Sequence, residues 1–340
     1  MVKNMNISII IPTWNRKRLL IEAIENFLLQ LKDSINFEIL ICDSNSSDGT
    51  EEWVRNHNRK HKNLYLKILH SKCNNISAKR NLGILNAKYD NLILTDDDCI
   101  PLDNFINIYK YFLDKGNTKK IFCGQYRTEN ISKSNYARYR DSRNIIFAND
   151  DQYHLIELKF NNMVTGNMAF NKKFVIENNI LFNEFMTGYG FEDIDWAFRL
   201  KNNGFSLFLT QANVNHKETS YGISKYKIKW FYVGKYAMPL LMKYNLEAAK
   251  NLTVFKAEID KHNHIMMTIC IFTANLFLIN PFINLIEFIL NKTDNIRLAY
   301  FPIMYKIVIA KSYYKGVRSR KINSIKQENS FKDWFSKGYK

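Results

Sequence analysis

The sequence predicts an α/β fold: a parallel sheet covered on both faces, continuing into a mixed half, then a C-terminal helical region. Three observations predict it. Through the first hundred residues, apolar runs of strand length alternate with apolar positions at helical spacing. Polar, aspartate-rich clusters follow the second and fourth of those runs, at the strand ends where open α/β sheets bind ligands. After Tyr221 the composition shifts to mixtures of Lys, Tyr and Phe.

Taken in order, residues 7–11 carry Ile7, Ile9, Ile10 and Ile11 and stop at Pro12, a short buried strand. Leu20, Ala23, Ile24, Phe27, Leu28 and Leu31 recur at helical spacing. Residues 37–42 form a second strand, followed by the polar turn 43–49 and a helix from about Thr50. Leu64, Leu66 and Ile68 alternate as a third strand, and a helix over about 78–87 leads into a fourth strand at 91–95. Between about 121 and 216 the pattern is mixed. Strands are expected at 121–124, 164–170 and 205–209, with a helix over 192–203 closed by Gly204. The expected division is a first domain over 1–221 and a basic, aromatic-rich helical region over 222–340.

The composition supports a packed core. Of 340 residues, 46% are apolar and 14% aromatic, with only 12 Gly and 5 Pro, which excludes disordered and collagen-like chains. Lys and Arg number 49 against 32 acidic residues, so the formal charge of +17 calls for an anionic partner. Nucleic acid, an acidic membrane surface and a phosphorylated ligand all satisfy it. The five cysteines form no CxxC pair, which points away from a zinc site or disulfide framework and toward a reducing compartment. The apolar stretch ending at Pro12 is too short for a signal-peptide core and has no small-residue cleavage site, so a cytoplasmic location is expected.

In the last third, residues 265–290 are strongly apolar, but the clean run 265–279 holds Thr268, Thr273 and Asn275 and ends at Asn280-Pro281. It falls short of the roughly 20 residues that span a bilayer, and helices lying at a membrane are expected instead. From Lys311 to Lys340 nine basic residues face two acidic ones, with Tyr313, Tyr314, Trp334, Phe335 and Tyr339 among them. Basic charge with aromatic anchors suits an anionic lipid surface at the cytoplasmic face. Nucleic acid is not expected, because the basic residues lie beside apolar helices and outside any recognition module.

Asp96, Asp97 and Asp98 carry the chemistry first. Three consecutive carboxylates at a strand end repel one another, and the simplest remedy is a hard divalent cation, Mn²⁺ or Mg²⁺, shared with substrate phosphates. Glu192 and Asp193 form a second acidic pair at an expected helix start, where the helix dipole favours ionised carboxylates.

The runs Ile9 to Arg16, Cys42 to Thr50, Ser77 to Gly83 and Thr95 to Asp98 resemble, in order, the motifs of family 2 glycosyltransferases with the GT-A fold. Thr165-Gly166-Asn167 and Gly188 to Trp196 are similar to the acceptor-side motif of β-1,4-galactosyltransferases and chondroitin-type polymerases. The resemblance covers about residues 6–218 and implies a Rossmann-like nucleotide-binding sheet fused to a mixed acceptor-binding half.

It implies further that Pro12, Thr13 and Asn15 lie beside the nucleotide of a UDP-sugar and that Asp43 accepts from uracil or ribose. Ser44 stands where many relatives carry a second acidic residue. Arg80 is expected near the diphosphate or organising the aspartates, Asp96 on the ribose, Asp97 among the nucleotide-sugar contacts, and Asp98 with His216 on the metal. On the acceptor side, Asp193 is the expected general base, with Glu192, Tyr189, Trp196 and Asn167 holding the acceptor sugar. Asp195 is expected to be solvated. The acceptor class implied is a glycan or lipid-linked glycan of surface-polysaccharide synthesis. The rival readings are a nucleotidyltransferase, which normally has a glycine-rich loop where this chain has Pro12 to Asn15, and a non-catalytic glycan-binding scaffold.

Overall fold

The structure, a computed structural model, describes residues 5–30, 35–60, 66–115, 119–129, 131–145, 147, 151–217, 222–258 and 280–320. Leu31, Leu64, the run 265–279 and the basic residues after Arg320 lie outside the described residues.

In chain order the elements are β1 (Met5–Thr13), α1 (Lys17–Gln30), β2 (Ile35–Asp43), α2 (Thr50–Lys60), β3 (Leu66–His70), α3 (Ile76–Asn86) and β4 (Asn91–Thr95). There follow β5 (Cys99–Pro101), α4 (Phe105–Asp114), β6 (Lys120–Cys123), β7 (Tyr126–Thr128), α5 (Asn135–Asp141) and β8 (Ile156–Glu157). The next are β9 (Asn167–Asn171), α6 (Lys172–Glu177), α7 (Glu192–Asn202), β10 (Ser206–Leu209) and β11 (Val214–His216). The last are α8 (Ile223–Tyr232), a widened turn at Val233–Ala237, α9 (Met238–Tyr244), α10 (Leu246–Lys250), α11 (Asn280–Lys292) and α12 (Pro302–Arg318).

Among the described residues the main sheet has the order β3-β2-β1-β4-β9-β6-β10-β8. β3, β2, β1 and β4 run parallel, and β9 and β8 run antiparallel to their neighbours. This is the expected parallel sheet continuing into a mixed half. Strand β1 shows why its run of isoleucines is continuous. Ile7, Ile9 and Ile11 pack on Leu20, Ala23, Ile24 and Phe27 of α1, while Ile10 faces the opposite core with Leu40, Cys42 and Ile84 of α3. A strand covered on both faces has no solvent side on which polar residues would alternate. Gly83 makes the α3 side possible, since a Cβ there would come within 2.3 Å of the Ile10 side chain.

The chain divides into two compact units: Met1–Arg127 with Asn144–Glu184 and Asp193–Lys217, and Thr128–Arg143 with Phe185–Glu192 and Glu218–Lys340. The second has its own apolar centre of Tyr136, Tyr139, Tyr226, Ile283, Ile286, Leu290, Tyr305 and Val308. Within it, α12 crosses the helical stretch after α8 on two glycines. A Cβ at Gly234 would lie 2.3 Å from the Tyr313 carbonyl oxygen, and one at Gly316 would lie 2.1 Å from that of Phe231. Asn280-Pro281 opens α11, as proline does in a first helical turn, where its missing N–H costs nothing. None of the described helices is long and apolar enough to cross a membrane.

Candidate active site

The parallel strands bring their carboxyl ends to one edge. Thr13 pairs in register with Asp43, and the β1–β4 register sets Ile10 opposite Leu94, so Thr13 meets the turn after β4. Its hydroxyl donates to Asp97 at 2.7 Å. The aspartate turn is held at both ends: Asp96 N–H donates to Gly166 O at 3.1 Å and Cys99 N–H to Asp96 O at 3.2 Å. Strand β11 pairs antiparallel with β5, setting His216 opposite Cys99, and Lys217 N–H donates to Asp98 O at 2.8 Å. His216 thereby arrives beside Asp98 from more than a hundred residues away in sequence.

Side chains of the chain itself also compensate the three carboxylates. Arg16 Nη1 lies 2.9 Å from both Asp97 Oδ1 and Asp98 Oδ2, and Arg80 Nη2 lies 3.1 Å from Asp96 Oδ1. Arg80 is itself buried, with its guanidinium over the Phe182 ring. Lys79 is a second buried cation, donating to Thr13 O at 3.0 Å and Asn74 Oδ1 at 2.9 Å. Burial pushes Lys79 down to about 8, against the pull of Asp97 and Asp43. Burial also raises the Asp97 carboxyl, opposed by Arg16. Both Asp97 oxygens are engaged by protein donors, Thr13 and Arg16, so Asp97 braces the site.

The fit to a metal rests on Asp98 and His216, with the Cys99 thiol donating to Asp98 Oδ1 at 3.8 Å. Arg16 takes Asp98 Oδ2, while Asp98 Oδ1 faces His216 Nε2 at 3.5 Å. Two donors each about 2.1 Å from one ion, roughly 90–110° apart, are about 3.0–3.5 Å from each other, so the separation suits ligands of a shared cation. Tyr126 stacks on the imidazole, with centroids 4.9 Å apart and planes at 16°, and so fixes its ring plane. Among the described residues no group of three or more His, Cys, Asp or Glu is gathered as a metal site. Two protein ligands completed by phosphate and water is the habit of Mg²⁺ and Mn²⁺. Asp98 and His216 fit that demand.

Beside the aspartates the β2 turn forms a hydrogen-bonded shelf. Asp43 accepts from Ser46 N–H at 2.8 Å and from the Ser46 hydroxyl, which in turn accepts from Asn15 N–H at 2.7 Å. Asn15 Oδ1 accepts from Ser47 N–H at 2.7 Å. Asn15 and Asn45 both sit at positive φ, 52° and 57°, which asparagine tolerates better than most residues. Asp48 joins the turn to α1 through Lys17 N–H at 2.7 Å. Burial raises its carboxyl, but hydrogen bonds from Thr50 and Lys17 outweigh that and hold it below its ordinary value. Ser44 donates to Cys73 O at 3.1 Å, and Pro12 is buried within β1.

On the acceptor side the expectations divide. Glu192 and Asp193 open α7, and Asp193 Oδ1 accepts from Ile194 N–H at 2.8 Å. Gly190 and Phe191, at φ 95° and 69°, make the tight turn into that helix. Tyr189 lies 5.6 Å from the Lys229 ammonium and packs on Tyr232 and Tyr236.

Two of the expected acceptor contacts are core residues. Trp196 is fully buried, stacked on Phe182 at 4.2 Å, with its indole N–H donating to Ile180 O at 2.6 Å. It has no face to offer a sugar. Asn167 is likewise fully buried, accepting from the Tyr109 hydroxyl at 2.7 Å and donating to Ala212 O at 2.9 Å. Asp195 is not solvated either: it is buried against Arg199, which approaches at 2.8 Å. The buried thiols of Cys42 and Cys123 are both pushed up to about 12 by burial, which excludes them as nucleophiles at neutral pH.

Sequence reasoning passed over Arg16, Lys79 and Tyr126, although the first two stand inside the motif runs. Gly166 carries a constraint of its own: a Cβ there would come within 2.2 Å of Asp96 Oδ2 and 2.1 Å of the Tyr126 hydroxyl.

The chain is similar in sequence and in fold to known glycosyltransferases. Over 228 residues the chain is 28% identical to the dolichyl N-acetyl-alpha-D-glucosaminyl phosphate 3-beta-D-2,3-diacetamido-2,3-dideoxy-beta-D-glucuronosyltransferase of Methanococcus voltae, spanning 65% of this chain and 69% of that one. It is 27% identical over 234 residues to the chondroitin synthase of Pasteurella multocida (strain Pm70), covering 59% of this chain but only 23% of that relative's length.

Among solved structures, the mannosyltransferase PcManGT from Pyrobaculum calidifontis, in complex with GDP-Man and Mn²⁺, superposes with a TM-score of 0.51 at 16% identity, over 92% of this chain and 88% of that one. S. aureus TarS 1-349 in complex with UDP-GlcNAc gives 0.50 at 15% identity, over 93% and 91%. These likenesses establish the GT-A fold. The profile described as glycosyl transferase family 2 matches residues 8–178, half of the chain. With its fold and its ordered motifs in agreement, the chain belongs to glycosyltransferase family 2.

Proposed function

We propose that the protein is an inverting, metal-dependent glycosyltransferase that moves a sugar from a nucleoside-diphosphate sugar, UDP-linked, to a hydroxyl of a glycan or lipid-linked glycan. The observation that carries this reading is the pairing of Asp98 Oδ1 with His216 Nε2 at 3.5 Å, at the carboxyl edge of the sheet. The Methanococcus relative is named for a dolichyl phosphate-linked sugar acceptor, and another relative, TarP of Staphylococcus aureus (strain N315), for poly(ribitol-phosphate). Both support a surface-glycan acceptor for this chain. The two superposed structures are complexes with GDP-Man and UDP-GlcNAc. In this reading residues 1–221 do the chemistry, and 222–340 attach the enzyme to the cytoplasmic face of an anionic membrane.

The shelf of Pro12, Thr13, Asn15 and Asp43 orients the base and ribose, with Asp96 on the ribose. Arg80 sets positive charge near the diphosphate while holding Asp96. An Mn²⁺ or Mg²⁺ ion held by Asp98 and His216 supplies, when bound, neutralisation of charge on the departing nucleoside diphosphate. Glu192 hydrogen-bonds the acceptor sugar and Tyr189 lies beside its ring. Asp193 takes the proton of the attacking hydroxyl as the new carbon–oxygen bond forms and the bond to phosphate oxygen breaks, with its electron pair leaving on the diphosphate. One displacement at the anomeric carbon inverts its configuration. The test is a panel of nucleotide sugars incubated with the enzyme and Mn²⁺. One donor is expected to hydrolyse slowly, with the activity removed by chelator; no hydrolysis of any donor, or hydrolysis indifferent to chelator, counts against the reading.

A further inference from the structure

A surface helix ordinarily turns a polar face outward. Helix α11 does not. Ile283, Ile286 and Leu290 are buried against the core of their own unit, while Phe282, Leu285, Phe288 and Ile289 recur on the other side and are exposed, Phe288 at 58%. The turn that follows and the start of α12 continue the pattern: Ile296, Leu298, Phe301 and Ile303 are exposed, Leu298 at 96%. Scattered single exposed leucines need no explanation, but eight large apolar side chains within 22 residues do.

The charges around this surface are sorted by sign. Lys292, Arg297 and Lys306 are exposed. The two acidic residues of the same stretch are tied inward, Glu287 to Lys227 and Asp294 by accepting from Tyr136 N–H at 2.7 Å. Lys292 lies 5.8 Å from the Phe288 ring, so cation and apolar anchor share one patch. A second copy docking face to face would set these cations against their own counterparts. An anionic lipid leaflet meets both properties, taking the phenylalanines and leucines at the acyl boundary and the cations at the phosphates.

We propose that the outer face of α11 and the 296–303 segment form a docking surface that seats the enzyme on an anionic lipid leaflet. This deepens the membrane partner named above and rests on that reading. The docking surface holds none of the residues assigned to transfer.

The experiment uses the full chain in flotation with vesicles of phosphatidylcholine, with and without phosphatidylglycerol. The unmodified protein is expected to float with the anionic vesicles. Leu285→Gln combined with Phe288→Gln and Leu298→Gln should weaken partitioning about 100-fold, and charge reversal of Lys292, Arg297 and Lys306 to Glu should do so by a similar factor. Both variants should keep metal-dependent donor hydrolysis. Because these residues are exposed, folding is not at risk, and Phe288→Trp gives a second readout: the emission of the introduced indole should shift to the blue when anionic vesicles are added. Wild type that stays at the bottom of the gradient overturns the proposal, as does a triple-Gln variant that floats like wild type or an indole emission that vesicles leave unmoved. Dissolution of a dimer by the same substitutions without any effect on flotation assigns the patch to self-association instead. Loss of flotation with hydrolysis intact leaves the transfer reading standing, while absence of hydrolysis in a protein that floats removes that reading and keeps the docking surface.

Discussion

His216 Nε2 stands 3.5 Å from Asp98 Oδ1, and the other oxygen of that carboxylate is held at 2.9 Å by Arg16. The arginine therefore fixes the rotation of that carboxylate. Asp98→Ala should abolish the Mn²⁺ dependence of nucleotide-sugar binding, and His216→Ala should weaken Mn²⁺ itself by at least about 10-fold. Titration of Mn²⁺ followed by electron paramagnetic resonance measures the second directly. Equal Mn²⁺ affinity in His216→Ala and wild type would remove the histidine from the ion.

Gly166→Ala tests the close approach behind Asp96. The added methyl meets the Asp96 carboxylate at 2.2 Å and the Tyr126 hydroxyl at 2.1 Å, so one of them must move. A cost of about 1–3 kcal/mol is expected from overpacking, with weaker donor binding in the same variant. Urea unfolding and calorimetric titration of the nucleotide check the two parts; a Gly166→Ala variant as stable as wild type contradicts the geometry.

Asp193→Asn should lower transfer by about 10²- to 10⁴-fold while donor affinity is unchanged, because a positioned base acts on the acceptor proton alone. Steady-state rates with acceptor present, set beside nucleotide affinity, separate the two effects. A variant that transfers at the wild-type rate sends the search for the base elsewhere.

Lys79 predicts a pH dependence of stability. Its ordinary value of 10.5 is pushed down to about 8 by burial. Between those limits the unfolded chain holds a proton that the folded chain has lost, so the contribution of Lys79 to stability rises with pH across the window. Below about pH 8 the cost of burying the charge is present in full. The stability difference between Lys79→Met and wild type should therefore shift in favour of wild type as pH rises from about 8 to 10.5. Urea midpoints of both proteins at matched pH measure it, and a difference independent of pH would show that Lys79 titrates normally.

Much of the parallel half was legible because its signals are local. Strand β1 announces itself by consecutive isoleucines covered on both faces, and the ends of β2 and β4 by aspartates in turn-forming runs. The Asp98–His216 partnership was legible only through the motif resemblance, since 117 intervening residues carry no local sign of the β5–β11 pairing. Trp196 was misread for a related reason. A tryptophan one helical turn from an acidic pair has the same spacing whether its ring faces a cleft or a core, and contact with Phe170 and Phe182 decides for the core.

By itself, then, the sequence determined the alternation of strands and helices, the edge where the acidic turns gather, and the basic, apolar character of the last third. These follow from periodicity and turn chemistry, which act between near neighbours. Only the tertiary structure decided that Arg16 and Arg80 neutralise the aspartates, that Asn167 and Asp195 lie inside, and that α11 keeps an apolar face turned out. Charge compensation and burial depend on which distant side chains arrive within a few ångströms, and a one-dimensional pattern does not carry that distance.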